Sequence, residues 1–266
     1  MRRNRIFEAL ETRGLALGTS IQTNSPELCE IPSAAGLDFV FIDMEHGALG
    51  IESVANLIRG VQAGGAAAPI VRVPDCEPKL ISRVLDAGAQ GIVVPNVDTA
   101  EQMEVVVRAA HYAPKGARGT CPCIRANFHG ALPWANYAEW AAENIFICGT
   151  IESELGIRNF DEIIAVPGTS AVSIGTFDLS VAMGHGADYQ HPAVVAKFEE
   201  FARAARAKDI DMFAAVLDFG KLTSELDRLS AAGVRVVLYP GDRFLLSSIY
   251  RSAVETLADT WGARQS

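Results

Sequence analysis

Two patterns of apolar and polar positions alternate along the chain. Short, nearly continuous apolar runs bounded by Gly or Pro are separated by longer stretches in which apolar residues recur every three or four positions. The first pattern suits strands buried on both faces, and the second suits amphipathic helices. The apolar runs fall at 15–19, 38–42, 69–73, 92–94, 144–151, 170–174, 211–216 and 234–239. Helix signals lie between them. Asn24-Ser25-Pro26 supplies an N-cap and a first-turn proline for a helix to about residue 35, and Gly64-Gly65 stops a helix over 50–63. Residues 78–87 and 98–110 read as further helices, the second capped by Asp98 or Thr99, and the last helix spans about 242–259.

Strict alternation of strand and helix predicts βαβ units around a parallel sheet. Eight such units in 266 residues predict a single α/β domain over 1–266, a (β/α)8 TIM barrel. An open doubly wound sheet would need a Gly-rich turn directly after an early strand, whereas Gly64-Gly65 precedes one. One segment interrupts the series: 111–143 carries prolines, glycines, aromatics, Cys121 and Cys123, with a short helix expected near 137–142. An insertion of this length in a compact domain is usually a lid or an interface. Read as a βα connection after the fourth strand, it is expected on the catalytic rim. There Arg118, Arg125, His129, Phe128, Trp134 and Tyr137 would shape a binding site for a partly polar substrate, or else make subunit contacts.

Charge and cysteine usage narrow the function classes. With 32 acidic against 23 basic residues the net charge is −9, which argues against nucleic-acid or anionic-membrane partners. Five scattered cysteines suit a reducing compartment, and Cys121-Pro122-Cys123 lacks the second ligand pair of a zinc site, so it reads as two loop cysteines without metal. The basic start Met1-Arg2-Arg3-Asn4-Arg5 is followed by acidic residues rather than a long apolar core, so no signal peptide is expected; nor is a membrane span. The expected location is the cytoplasm.

Chemistry concentrates where apolar runs end. Phe39-Val40-Phe41-Ile42 runs into Asp43, Glu45 and His46; Arg72 lies in Val71-Arg72-Val73-Pro74; Glu152 follows Ile151; and Asp178 follows Gly175-Thr176-Phe177. A charge flush with the end of a buried strand is costly unless it is paired or binds something. Singly, each has a structural explanation: Arg72 as an ion-pair partner, Glu152 and Asp178 as helix caps, His46 as a rim histidine. Together they place four functional positions on one rim of the barrel. Paired carboxylates with no cysteine and one histidine nearby make a hard, oxygen-rich site suited to Mg²⁺ or Mn²⁺ and to a 2-oxo acid. The turn from Gly175 to Asp178 opens a short helix whose N–H groups would bind the substrate carboxylate. Arg72 would stabilise the oxygen on which enolate charge develops, and His46, its ring oriented by Asp43, would act as general base. A Schiff-base lysine is disfavoured, because Lys79, Lys115, Lys197, Lys208 and Lys221 all fall on predicted helices or loops.

These segments, with Tyr112-Ala113-Pro114-Lys115-Gly116-Ala117-Arg118-Gly119 and Ile174 to Ser180, resemble the HpcH/HpaI family of class II, metal-dependent pyruvate aldolases over most of the chain. The resemblance is to 4-hydroxy-2-oxoheptanedioate aldolase-like members, enzymes of aromatic catabolism. It implies a phosphoenolpyruvate/pyruvate-type barrel, Glu152 and Asp178 as ligands of Mg²⁺ or Mn²⁺ (Co²⁺ also admitted), His46 as base and Arg72 as the enolate-stabilising arginine. It also implies a homo-hexamer, a trimer of dimers that exchange the C-terminal helix. The implied reaction is reversible cleavage of a 4-hydroxy-2-oxo acid to pyruvate and an aldehyde through a pyruvate enolate held on the metal. An oxaloacetate-type decarboxylase or macrophomate-synthase-like enolate-forming enzyme is the first alternative, and a catalytically inert barrel with a ligand-binding or assembly role the second. Two departures stand out. Phe177 replaces a smaller residue beside the metal position, and Thr120 to Arg125 matches no common aldehyde-binding pattern.

Overall fold

The structure is a computed structural model and describes residues 1–216 and 219–263. Eight parallel strands close into a barrel in sequence order: β1 (Ala16–Ile21), β2 (Phe39–Asp43), β3 (Ala68–Arg72), β4 (Gly91–Val94), β5 (Phe146–Ile151), β6 (Ala171–Ile174), β7 (Asp211–Ala215) and β8 (Val236–Tyr239), with β8 paired back onto β1. This is the (β/α)8 architecture, and its closure excludes the open sheet. Each strand lies within a few residues of its predicted span.

The strands are apolar on both faces because they separate two cores. Phe39 and Phe41 of β2 point into the barrel with Ile70, Val93, Phe146 and Phe213. Val40 and Ile42 point outward to the surrounding helices, among them α3 (Ile51–Gly64), α4 (Pro78–Asp86) and α5 (Ala100–Ala110). Glycine makes room for the large interior rings: a Cβ at Gly18 would lie 2.4 Å from the Phe39 ring.

The sequence reading missed the first helix. α1 (Arg5–Arg13) is capped by the Asn4 side chain and closes the N-terminal mouth of the barrel with Ile6, Ala9 and Leu10, all buried in the interior cluster. Burial of a side chain such as Ile6 or Leu10 contributes about 1.5–3 kcal/mol. Asn4 locks this plug by donating to the carbonyls of Gln90 (2.8 Å) and Asn144 (2.9 Å).

The expected position of 111–143 is corrected by the topology. The segment follows α5 and leads through α6 (Trp134–Asn144) into β5, so it is an αβ connection at the end of the barrel opposite the catalytic rim. Its side chains confirm this. Arg125 donates to the Ala87 carbonyl (2.9 Å) after α4 and to Gln62 (2.5 Å) in α3, and Trp140 donates to the Arg2 carbonyl (2.7 Å). Arg118 is buried against Asp86 (2.7 Å) with its guanidinium over the Tyr112 ring. Tyr112, Trp134, Tyr137 and Trp140 form an aromatic cluster beside it. These residues pack the outer wall and floor, and none lines the cavity at the C-terminal end. Cys121 and Cys123 are exposed and unbonded.

Candidate active site

At the C-terminal end of the strands lies a cavity of about 480 Å³, lined by Asp43, His46, Arg72, Glu152 and the turn from Gly175 to Asp178. The predicted strand-end residues Asp43, His46, Arg72, Glu152 and Asp178 therefore meet around one space, which neither Glu45 nor the 111–143 segment lines. Strand geometry explains the convergence: side chains alternate faces, so inward-facing positions near the strand ends stand around the same opening.

Asp43 and Arg72 show the effect of register. They are Cα partners on adjacent strands, both at inward positions, and pair through two bonds: Arg72 Nε to Asp43 Oδ1 (2.9 Å) and Nη2 to Oδ2 (2.7 Å). Asp43 also accepts from Gln22 Nε2 (2.8 Å) and from the backbone N–H groups of Glu45 (3.1 Å) and His46 (3.3 Å). Burial alone would raise the Asp43 pKa, but the hydrogen bonds and charge of Arg72, with Gln22 and the His46 N–H, hold it below the ordinary carboxylate range. Burial likewise opposes the charge on Arg72, and Asp43, Glu45 and Glu152 outweigh it.

This arrangement corrects one expectation. Asp43 does not hold the His46 ring; its oxygens are committed to Arg72, Gln22 and the backbone, so it positions the arginine instead. The His46 side chain is 64% exposed at the rim, with Nε2 3.9 Å from Glu45 Oε2. Glu45 Oε2 lies 3.0 Å from Arg72 Nη1, yet out of line for a hydrogen bond, which leaves a buried charged oxygen with an unfilled bonding position. The Arg72 guanidinium stands 5.5 Å over the Phe41 ring and is fixed from below as well as from the side.

Across the cavity Glu152 and Asp178 have no such partner among the described residues. Glu152, just past β5, accepts from the backbone N–H of Asn96 (3.1 Å), while Asp178 sits in the first turn of α9 (Thr176–Ala182). Both converge over Gly175: a Cβ there would lie 2.8 Å from Asp178 Oδ2 and 3.3 Å from Glu152 Oε2. Burial raises the Glu152 pKa, and the neighbouring Glu45 and Asp178 raise it further, against the opposing pull of the Asn96 N–H and Arg72. Two like charges drawn together over a glycine make a fitting cradle for a hard cation. No group of three or more His, Cys, Asp or Glu among the described residues is placed to hold a metal ion, so this pair would supply two ligands and leave the remaining positions to substrate and water.

The wall beyond is aromatic. Phe177 lines the cavity, 47% exposed, with its ring 4.7 Å from that of Tyr189. No lysine lines the cavity among the described residues. Gln22 and Asn96 escaped the sequence reading. Their only signal is position, one polar residue directly after β1 and one just after β4, and neither residue type stands out at a strand end.

A (β/α)8 barrel with a fixed arginine and two carboxylates that make no ion pair among the described residues, all lining one cavity at its C-terminal rim, has the groups of an enzyme for small molecules. Residues 18–236 match the HpcH/HpaI aldolase/citrate lyase family. A 5-keto-4-deoxy-D-glucarate aldolase of Salmonella arizonae is 34% identical over 262 residues, 97% of this chain and 96% of that protein. Among solved structures, an HpcH/HpaI aldolase/citrate lyase family protein from Burkholderia cenocepacia has a TM-score of 0.86 at 27% identity, covering 96% of this chain and 99% of that one. Macrophomate synthase has a TM-score of 0.82 at 26% identity, covering 96% and 88%. The chain belongs to the HpcH/HpaI aldolase/citrate lyase family and is a class II carbon–carbon lyase, which sets aside the inert barrel. No helix among the described residues is long and apolar enough to cross a membrane.

Proposed function

We propose that this enzyme reversibly cleaves a 4-hydroxy-2-oxo acid to pyruvate and an aldehyde. The observation that carries the reading is the convergence of Glu152 and Asp178 over Gly175, in the same cavity as an arginine held by Asp43. The relative's name supports the substrate class: 5-keto-4-deoxy-D-glucarate, counted from its keto end, is a 4-hydroxy-2-oxo acid. Glu152 and Asp178 would hold a divalent ion, Mg²⁺ or Mn²⁺ with Co²⁺ also admitted. When bound, it supplies a Lewis acid for the 2-oxo acid's oxygens.

The chain's own groups do the rest. The first-turn N–H groups of Thr176, Phe177 and Asp178 are free of intrahelical partners and bind the carboxylate of the 2-oxo acid. His46 removes the proton from the 4-hydroxyl group. The bond between C3 and C4 then breaks, its electron pair moves onto the C2 oxygen through the new C2–C3 double bond, and the aldehyde departs. Arg72 stabilises the oxygen where that charge collects, and Asp43 keeps the guanidinium in place before the charge appears. Return of a proton to C3 gives pyruvate. A second reading, decarboxylation of oxaloacetate or another macrophomate-synthase-like reaction, draws on the same residues and is supported by the overall similarity to macrophomate synthase.

The apolar side chains Ile249, Tyr250, Val254, Leu257 and Trp261 of α12 (Asp242–Ala263), each more than 60% exposed, support exchange of this helix with a second copy within a hexamer. Native mass measurement tests the assembly. Incubation with pyruvate in D2O, with and without EDTA, tests the chemistry. Metal-dependent exchange of the methyl protons is expected, and no exchange under any metal would overturn the reading. Oxaloacetate and a panel of aldehydes then separate decarboxylation from aldol cleavage.

A further inference from the structure

A second cavity, of about 560 Å³, opens at the other end of the barrel, between the N-terminal segment, the ends of α3 and α4, and residues 125–129. Its charge is the reverse of the chain's. Arg2, Arg3, Arg5, Arg125 and His129 line it against one carboxylate, Glu8, in a protein of net charge −9. Two of these arginines already have partners: Arg3 pairs with Glu11, and Arg5 lies 3.2 Å from both Glu8 and Asp38. Arg2 and Arg125 make no ion pair among the described residues, and the charge that Arg125 feels is the like charge of Arg59.

Both of these guanidinium groups rise from fixed backbone. Trp140 Nε1 donates to the Arg2 carbonyl (2.7 Å), and Asn4 locks the chain two residues further on. Arg125 donates to the Ala87 carbonyl (2.9 Å) and to Gln62 (2.5 Å) and is seated over Gly88, where φ is +107° and a Cβ would lie 2.4 Å from Arg125 Nη1. A guanidinium has five N–H donors, so these two bonds leave others for a ligand. Next along the chain, Phe128 (φ 49°) and His129 (φ 57°) are successive non-glycine residues in the left-handed region. That conformation is costly for a bulky side chain, and such strain clusters at ligand clamps. It sets Phe128, 58% exposed, on the same wall as the half-buried Trp140.

Two guanidinium groups without counter-ions suit two linked anionic groups, for which the arginine fork is the matching donor. The rings of Phe128 and Trp140 suit a flat heterocycle, since aromatic side chains accept a nucleic base on their faces. We infer that this floor cavity is a binding site for a nucleoside diphosphate, its phosphates held by Arg2 and Arg125 and its base against Phe128 and Trp140, apart from the reaction at the rim. Such a ligand would join the N-terminal segment to α3, α4 and residues 125–129, and so stabilise the plug made by α1.

The test is calorimetric titration of ADP, pyrophosphate and adenosine into the enzyme in excess Mg²⁺, with and without saturating pyruvate. ADP should bind more tightly than either of its halves, and pyruvate should leave its affinity unchanged. Arg125→Gln and Arg2→Gln should each weaken ADP by about ten- to a hundredfold, the effect of lost charge-assisted hydrogen bonds, and Arg125→Lys should recover part of the loss. Arg2→Gln guards against misfolding, because the Arg2 side chain makes no hydrogen bond or ion pair among the described residues. Phe128→Gly removes the ring and suits the left-handed backbone, and it should bring ADP down to the level of pyrophosphate. ADP binding weaker than about 1 mM, its loss on addition of pyruvate, or unchanged affinity in both glutamine variants would overturn the inference. Pyrophosphate as tight as ADP in the unmodified enzyme would overturn the assignment to a nucleotide.

Discussion

A nearly inaccessible aspartate stands at each end of strand β2, Asp38 just before it and Asp43 as its last residue, and the two are used differently. Asp38, at the N-terminal end, lies 3.2 Å from Arg5, pairs with Arg13 and accepts the N–H of Leu17 (2.9 Å). Asp43, at the C-terminal end, holds a single arginine whose guanidinium faces a cavity. Elsewhere the contrast widens. At the N-terminal end of β7, Asp211 takes a two-pronged bond from Arg235 (2.8 and 3.0 Å), whereas Glu152 and Asp178 at the other end have no cation within ion-pair distance among the described residues. Buried charge at the floor is neutralised by the protein itself. At the rim it is left in excess, the arrangement expected of a site that binds a cation.

The comparison breaks most decisively at Glu152 and Asp178. Either one changed to alanine should remove metal binding, followed by calorimetric titration of Mn²⁺, and with it pyruvate proton exchange. A variant that still binds the ion with native affinity would show that the unpaired carboxylates are not its ligands. Arg72→Ala comes next. It should retain the ion but lose about 10²- to 10³-fold in turnover, the usual cost of one fixed charge-stabilising donor. Near-native turnover would remove the arginine from the mechanism.

At the floor the same kind of change should act on stability alone. Asp38→Ala is expected to lower unfolding free energy by about 2–3 kcal/mol, for lost charge-assisted bonds in a buried setting, with exchange per folded molecule unaltered. Denaturant unfolding and the D2O assay on one sample check both halves. The smallest effect is a pH dependence. The Asp43 pKa lies below its unfolded value of about 3.9, so its contribution to stability is complete above that pH and is lost as the pH falls through the folded pKa. Acid unfolding of the native enzyme should therefore steepen below about pH 4 relative to Asp43→Asn. Superimposable acid limbs would mean that the Arg72 pairing does not survive in solution.

Much of this architecture was legible in the chain itself. Apolar runs buried on both faces, separated by capped helical stretches, specify a parallel α/β barrel, and costly charges at the ends of those runs locate the rim, which is why Asp43, Arg72, Glu152 and Asp178 stand out in the sequence alone. Local pattern was sufficient there because strand alternation and hydrophobic periodicity are properties of neighbouring residues. Only the tertiary structure decided which charge meets which. Asp43 serves Arg72 rather than His46 because the register of β2 on β3 sets these two residues side by side. Gln22 and Asn96 reach the rim because the barrel closes and brings distant loops together. The same dependence misled the reading of 111–143. Its composition suits a binding loop, but the helix before it carries the chain to the floor, where Arg118 packs against Asp86 and Arg125 ties the segment to the end of α4. Sequence states what a segment can bury or expose; closure and register, which join residues far apart in the chain, state against what.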